Sequence, residues 1–381
     1  MAAIKAIFDI RRRSGRAKRA LPVAGVPLLL AMVAAPPAGA RVPSGFYGVV
    51  PYTPLTHRDF KRMGDARVGS LRQQFYWPAI QPTRRGPLNW GGIDATVAEA
   101  ASQHIAILPT LAGTPPYEAG GCTSHGCGLH IRLRTKGQRR DWQAFVRAAV
   151  ARYGPHGAFW AANSYLPYMP IRRWQIWNEQ NNPVQHNSPR LYGRLVVSSG
   201  RVLHNADHEA KLVLGGMFGT PKGSKRNTAW NYLKRLYKTP ARHQFNAVAL
   251  HPYSPTTGGI RTQVKRVRRV LKRHHDSKRE IFVTEIGWGS SRKRHAGTGS
   301  RGAAFNVGLK QQKRKLVQSF GLLTRHRRTW RVGGVYWFTW RDPRNAPAGL
   351  CAFCYSSGLL HASGKAKPAL SAYKRFTRKT K

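Results

Sequence analysis

The chain has 381 residues and a formal net charge of +51, from 65 Lys and Arg against 14 Asp and Glu. Its length excludes a small module and suits one α/β barrel with its connections. Hydrophobic residues make up 41% of the chain and include 11 Trp, which supplies ample material for a packed core. The positive field attracts polyanions such as an acidic polysaccharide, a cell-wall polymer, a phospholipid surface or nucleic acid, although such a surface can also serve solubility alone.

Residues 1–40 carry a pattern that differs from the rest of the chain. A basic stretch precedes an apolar run, Leu21 to Ala35, which is too short and too interrupted by proline for a membrane span. Ala38-Gly39-Ala40 then matches a signal peptidase site. We expect a signal peptide at 1–40, export, and a mature chain 41–381 with 58 Lys and Arg, 13 Asp and Glu, and a net charge of +45. An uncleaved signal anchor is the alternative and would export the domain equally.

After residue 40, short apolar runs alternate with longer amphipathic stretches, which is typical of parallel strands covered by helices. The pattern predicts eight strands: Phe46–Val50, Val68–Gln73, Ile105–Thr110, Arg173–Trp177, Lys211–Met217, Phe245–His251, Ile281–Thr284 and Gly334–Thr339. It predicts seven helices: Ile93–Gln103, Asp141–Tyr153, Pro189–Asn205, Thr228–Tyr237, Ile260–His274, Leu309–Arg325 and Pro368–Thr377. This α/β order, with no Pro-, Gly- or Ser-rich internal boundary, predicts a single-domain (β/α)8 TIM barrel rather than an open doubly wound sheet.

The connections after the predicted strands indicate which functions the barrel can have. No GxGxxG or Walker A loop follows a predicted strand, so nothing in the sequence indicates nucleotide binding. Long loops follow the third, seventh and eighth strands, at Leu111–Arg140, Gly287–Gly308 and Arg341–Gly358. Because barrels carry their sites on the loops after the strands, we expect the functional residues at this face.

The four cysteines fall into two close pairs, Cys122 with Cys127 and Cys351 with Cys354. In an exported chain we expect two local disulfides, although four cysteines allow three connectivities. A zinc site with C-x4-C and C-x2-C spacing is the alternative. A barrel that places the two loops far apart favours disulfides over a shared metal.

Two apolar strands each end at a glutamate. The segment Trp174-Gln175-Ile176-Trp177 runs into Asn178-Glu179, and Ile281-Phe282-Val283-Thr284 runs into Glu285. Both strand ends face one cavity in a closed barrel, so the two carboxyl groups can act as a pair. Glycoside hydrolysis requires such a pair, one to protonate the leaving oxygen and one to attack the anomeric carbon or activate water. Two rim carboxylates in salt bridges are the alternative interpretation.

These motifs resemble the clan of retaining (β/α)8 glycoside hydrolases that includes families 5 and 39, and they are most similar to family 39. The resemblance extends from about Phe46 to Phe376. It implies that Glu179 is the acid/base, that Asn178 bonds the sugar 2-hydroxyl, and that Glu285 is the nucleophile.

Further positions follow from the same resemblance. Arg72 is similar to the arginine that keeps the nucleophile ionised, and His251 and Tyr253 to an aromatic site beside it. Of Trp337 and Trp340, which lie three residues apart near the end of the eighth strand, Trp337 is favoured as the floor of the sugar site, since alternation sends one of them under the helices. Four lone aromatic residues just past strand ends are also candidates for sugar contact: Trp77 and Trp288 above all, with Tyr76 and Tyr117.

The sequence therefore predicts an exported, secreted or cell-wall-associated retaining glycosidase that acts on an extracellular or wall polysaccharide. The substrate can be anionic, given the charge, whereas a specific nucleic acid partner is not expected. The mechanism needs no metal or organic cofactor, and we expect a monomer with no membrane span after cleavage. No accessory β-sandwich is recognisable, so the resemblance does not specify a xylosidase. A carbohydrate- or polyanion-binding barrel without catalysis is the alternative.

Overall fold

The structure, a computed structural model, describes residues 42–119, 128, 130–221, 224–291, 304–344, 351 and 353–378. The predicted signal peptide and the pair Cys122 and Cys127 lie outside the described residues. Eight parallel strands pair in chain order and the eighth pairs with the first, which closes a barrel. The predicted (β/α)8 fold is therefore confirmed. Among the described residues, no helix combines the length and apolar character that a membrane crossing needs.

All eight predicted strands form, with shifts of a few residues at their ends. Their bounds are β1 (Tyr47–Val50), β2 (Ser70–Tyr76), β3 (Ala106–Ala112), β4 (Arg173–Asn178), β5 (Lys211–Phe218), β6 (Ala247–His251), β7 (Glu280–Ile286) and β8 (Val332–Phe338). The extension of β7 beyond the predicted end at Thr284 matters most, because it places Glu285 within the strand, directly before Ile286, which pairs with Trp337 of β8.

The predicted helices also form, and the barrel carries others that the sequence pattern did not indicate. The bounds are α1 (His57–Asp65), α2 (Trp77–Ile80), α3 (Gly91–Ser102), α4 (Pro116–Ala119), α5 (Lys136–Tyr153), α6 (Ala158–Ala162), α7 (Pro189–Ala206), α8 (Ala229–Leu236), α9 (Thr257–Arg273), α10 (Leu309–Arg325) and α11 (Pro368–Thr377). The missed α1 has a detectable start: Thr56 and Asp59 cap each other's backbone in a capping box. Its sequence is mostly charged, so the apolar period is weak.

The apolar core has two layers. An outer layer lies between strands and helices, and an inner cluster fills the barrel with residues such as Leu108, Val213, Phe282 and Tyr336. The inner cluster is packed like an ordinary core, so the barrel is not a pore. The candidate functional residues therefore lie above it, at the end of the barrel where the strands finish.

Gly48 shows how tightly the inner cluster is packed. A Cβ added to Gly48 would lie 2.3 Å from the Tyr336 ring and 2.8 Å from the carbonyl oxygen of Ser70. The Tyr336 hydroxyl is itself held by a 2.9 Å hydrogen bond with the Ser70 hydroxyl, inside the barrel. The ring cannot retreat without breaking that bond, so glycine is required where β1 passes Tyr336.

We expect Gly48→Ala to lower the free energy of unfolding by about 1–3 kcal/mol, because overpacking moves a hydrogen-bonded ring. Gly321→Ala is the matched control: Gly321 lies within α10 with no neighbouring atom in the way of a Cβ. The control should raise the free energy of unfolding by about 0.5–1 kcal/mol, since alanine favours helix. Urea denaturation followed by circular dichroism measures both, and an unchanged unfolding midpoint for Gly48→Ala would contradict the packing described here.

Candidate active site

The two glutamates singled out by the sequence lie together at one mouth of the barrel. Glu179 directly follows β4 and Glu285 lies near the end of β7. A carboxylate oxygen from each, and a ring nitrogen of His251 at the end of β6, all lie within 4.8 Å of one another. Parallel strands of a barrel end at the same face, which is why residues far apart in the chain form one cluster here.

The end of β4 departs from regular strand geometry. Trp177 and Glu179 have φ angles of +74° and +47°, in the left-handed region that costs a non-glycine residue about 1–3 kcal/mol. Ile176 and Trp177 both pack into the outer apolar layer, so the usual alternation of faces is interrupted. Because of this interruption, the side chains of Asn178 and Glu179, although consecutive, both lie at the barrel mouth, where Asn178 contacts Arg72 of β2 and Glu179 contacts His251.

Arg72 on β2 connects the cluster. Its side chain is 5% exposed and donates three hydrogen bonds, to Glu285 Oε1 at 2.6 Å, to Asn178 Oδ1 at 2.7 Å and to Gln175 Oε1 at 2.6 Å. Gln175 is fully buried and its oxygen also accepts from the Thr110 hydroxyl at 2.9 Å. Arg72 contacts Glu285 as the resemblance implies, whereas the sequence pattern indicates only a strand position for Gln175.

The second oxygen of Glu285 faces two other ring residues. The Tyr253 hydroxyl donates to Glu285 Oε2 at 2.9 Å. His251 Nδ1 lies 3.4 Å from the same oxygen and 2.9 Å from Glu179 Oε1. Both oxygens of Glu285 are therefore held by named partners, and His251 is the side chain that lies between the two carboxylates.

His251 is uncharged in this setting. Burial lowers its pKa to about 3; the nearby Glu285 carboxylate opposes this shift, and the Arg72 charge adds to it. Nε2 has no hydrogen-bond partner, and a Cβ on Gly216 would lie 2.0 Å from it. We place the single ring proton on Nδ1, which then donates to Glu179, because Nδ1 is the nitrogen that faces carboxylates.

The pKa of Glu179 is higher than that of an ordinary surface carboxyl. Burial raises its pKa to about 7, against the charge of Arg72 and a hydrogen bond with the Asn182 side chain, which both lower it. The carboxyl is therefore protonated in a large fraction of molecules at neutral pH, which is the state a proton donor needs.

An aromatic wall stands beside Glu285, and most of it lay outside the sequence predictions. The Tyr253 ring lies 5.9 Å from Phe218, 6.4 Å from Phe305 and 5.1 Å from Phe353. Phe353 lies within the segment Cys351–Cys354, whose cysteines form the predicted local disulfide. The three phenylalanine rings are half-buried. Two of them come from loops after β7 and β8, where no strand or helix pattern marks a side chain's direction.

Three predicted aromatic contacts are not brought to the cluster, and this corrects the sequence analysis. Trp337, Trp288 and Trp77 are 0%, 0% and 1% exposed. The Trp337 ring packs against Phe320 of α10 and against Trp288, while Trp77 packs on α5. Alternation along β8 is the physical reason: Trp337 faces the helices, and its neighbour Phe338 belongs to the inner cluster.

The cluster of Glu179, His251 and Glu285 also offers oxygen and nitrogen atoms of the kinds that bind metal ions. The arrangement around it does not suit a cation well. The Arg72 guanidinium already lies 2.6 Å from Glu285 Oε1 and so takes the place of a positive partner. The geometry is therefore better matched to proton transfer and nucleophilic attack.

Comparison with solved structures places this barrel among those of glycoside hydrolases. A family 39 glycoside hydrolase from the gut symbiont Bacteroides cellulosilyticus WH2 is 16% identical over 88% of this chain and 64% of its own, with a TM-score of 0.64. A GH5_18 protein from Streptomyces cattleya, in complex with GlcNAc, is 16% identical over 89% and 80%, with a TM-score of 0.62. A monomeric β-xylosidase from Caulobacter crescentus CB15 is 17% identical over 88% and 68%, with a TM-score of 0.61.

The chain thus has the fold of the (β/α)8 glycoside hydrolases of families 39 and 5, the fold that its motifs implied. It spans 64% of the length of the family 39 protein. No protein-family model and no curated protein sequence matches it.

The neutral state of His251 leads to a prediction. The imidazole should show no titration between pH 5 and 8, because a pKa of about 3 leaves it uncharged throughout this range. Two-dimensional ¹H–¹⁵N NMR of histidine-labelled protein measures this, with free imidazole as the internal reference. A His251 resonance that titrates near the ordinary value of about 6.5 would contradict the assignment.

Proposed function

We propose that the protein is a retaining glycoside hydrolase in which Glu179 is the acid/base and Glu285 the nucleophile. The observation that carries the proposal is the pair of carboxylates within 4.8 Å at one barrel mouth, one with a raised pKa and one held by Arg72. Retaining enzymes keep their two carboxyl groups about 5–5.5 Å apart, whereas inverting enzymes leave about 6.5–9.5 Å for a water molecule. Here one oxygen of each carboxyl lies within 4.8 Å of the other, which is less than the inverting class needs and supports the retaining class.

In the first step, protonated Glu179 donates its proton to the glycosidic oxygen while Glu285 attacks the anomeric carbon. The carbon–oxygen bond to the leaving group breaks, and a glycosyl ester forms on Glu285. Glu179 is now ionised and removes a proton from water, whose oxygen attacks the same carbon and releases Glu285. Arg72 and Tyr253 hold the two Glu285 oxygens at 2.6 Å and 2.9 Å before attack, which fixes the direction of the nucleophile.

Two further features support a sugar substrate. The aromatic wall of Phe218, Tyr253, Phe305 and Phe353 stands next to Glu285, where C–H faces of a sugar can pack on rings. The solved structures compared above are described as a family 39 glycoside hydrolase, a GH5_18 protein in complex with GlcNAc and a β-xylosidase. We further propose that the enzyme is exported, on the basis of the N-terminal pattern at residues 1–40, and that its substrate is therefore an extracellular or cell-wall polysaccharide. That the enzyme is a monomer stays a prediction.

The carboxylate roles can be tested by substitution. In a screen of aryl glycosides and wall polysaccharides, we expect Glu285→Gln to abolish turnover, because an amide cannot form the ester. Glu179→Gln should lower kcat/KM by about 10²–10⁴-fold on substrates with poor leaving groups and less on activated aryl glycosides, which need little protonation. The matched control is Glu209→Gln, a change at a glutamate that is 74% exposed.

Initial-rate kinetics measure these effects, and proton NMR of the first-formed product reports its anomeric configuration. An active wild-type protein that both substitutions leave unchanged would overturn the assignment of the site. An inverted product would overturn the double displacement. Binding of a glycan without hydrolysis would instead identify a carbohydrate-binding barrel.

The raised pKa of Glu179 predicts the alkaline side of the pH profile. The proton donor is present below its pKa of about 7 and is lost as the pH rises through that value, so kcat/KM should fall about ten-fold per pH unit above it. With Glu179→Gln the residual activity should lose this limb. An identical alkaline limb in wild type and variant would mean that another group controls it.

A further inference from the structure

A basic cavity lies on the outside of the barrel, away from the two glutamates. Its volume is about 1200 Å³, and α5, α7 and the segment from Arg226 to Pro240 line it. Nine of the described lining residues are Lys or Arg, and none is Asp or Glu. None of these nine cations forms a salt bridge with a described carboxylate, so their charges face one another in a concave space.

The arginines of α7 form a continuous stripe along the cavity. Arg190, Arg194 and Arg201 lie four and seven residues apart, so they share one face of the helix. At a rise of about 1.5 Å per residue, the stripe extends about 16 Å. A single small anion would contact one part of this stripe, whereas a chain with repeated anionic groups would contact all of it.

Two polar groups inside the cavity lack a partner. Ser198 is 4% exposed, lines the cavity and has a hydroxyl with no hydrogen bond. Arg235 donates through its Nη2 to the backbone oxygen of Arg226, but its buried Nε is unpaired. Burial and the adjacent Arg226 charge lower the pKa of Arg235. Unpaired buried donors and crowded cations are both costly in the free protein. An anionic ligand in the cavity would relieve the repulsion between the cations.

The cavity is linked to the loop that carries Glu179. Asn181, two residues beyond Glu179, donates from its side chain to the backbone oxygens of Phe218 and Asn227, each at 2.7 Å. Asn227 directly follows Arg226, which lines the cavity. One end of the cavity is therefore tied to the same backbone that orients the proposed acid/base.

We propose that this cavity binds an acidic polysaccharide, whose carboxylate or phosphate groups pair with the arginine stripe of α7. Arginine suits these groups because its planar donors pair with two oxygens at once. No aromatic ring is among the described lining residues, so the cavity lacks the stacking surface on which proteins bind nucleic acid bases. The choice of a glycan among polyanions rests on the proposed function, whereas the affinity for anionic chains rests on the cavity itself.

Isothermal titration calorimetry in 150 mM NaCl tests the proposal, with hexagalacturonate as the probe and neutral xylohexaose and a thymidine hexanucleotide beside it. We expect hexagalacturonate to bind most tightly. Arg190→Gln with Arg194→Gln should weaken its binding at least ten-fold. The control pair, Arg269→Gln with Arg273→Gln, removes the same charge at the same helical spacing from exposed positions of α9 and should change binding less than two-fold.

Equal losses in the two double variants would overturn the proposal, since general charge attraction would then explain the binding. Tighter binding of the hexanucleotide, or no binding of hexagalacturonate, would overturn it as well. Because calorimetry needs no turnover, a protein that binds hexagalacturonate at the stripe but hydrolyses no glycoside supports this inference while refuting the catalytic proposal.

Discussion

The buried guanidinium of Arg72 is the interaction on which the arrangement of the site depends. It joins β2 to β4 through Asn178 and Gln175, and to β7 through Glu285. Removing a cation from water is costly, and the cost is offset only when its donors are paired with good geometry. Here a carboxylate and two amide oxygens supply that pairing. The three strand ends can therefore not shift independently without leaving a buried charge unpaired, a change that costs about 3–5 kcal/mol.

Arg72 also gives the two glutamates different surroundings, because it forms an ion pair with only one of them. Glu285 forms the ion pair with Arg72, at 2.6 Å, whereas the nearest ring nitrogen to Glu179 belongs to His251, which is neutral. Burial raises the pKa of Glu179 to about 7, and the charge of Arg72 and a hydrogen bond with the Asn182 side chain oppose this shift only in part. The two glutamates thus have unequal partners, which supports the roles of proton donor and nucleophile that we propose for them.

The sequence predicted the barrel and both glutamates because strand periodicity and strand ends are local patterns. It could not predict the left-handed backbone at Trp177, which depends on the tertiary fit of β4, and hence could not show that Asn178 and Glu179 share a mouth. Trp337 was assigned to the sugar although β8 turns it outward, because a strand's pattern does not tell which face is which when both are apolar. The ring of Phe353 lies in a loop, where no period exists to be read.

The distribution of charge indicates that the positive surface serves more than solubility. Two of the scarce carboxylates lie at junctions: Asp342 pairs with Lys367, which is 2% exposed, and Asp59 accepts a hydrogen bond from Trp340 while pairing with Arg341. These contacts fix the connections around β8. The arginine stripe of α7 receives no such carboxylate among the described residues. Solubility does not require like charges that converge in a cavity, since their repulsion opposes folding. Binding of an anionic chain, in contrast, requires such converging charges.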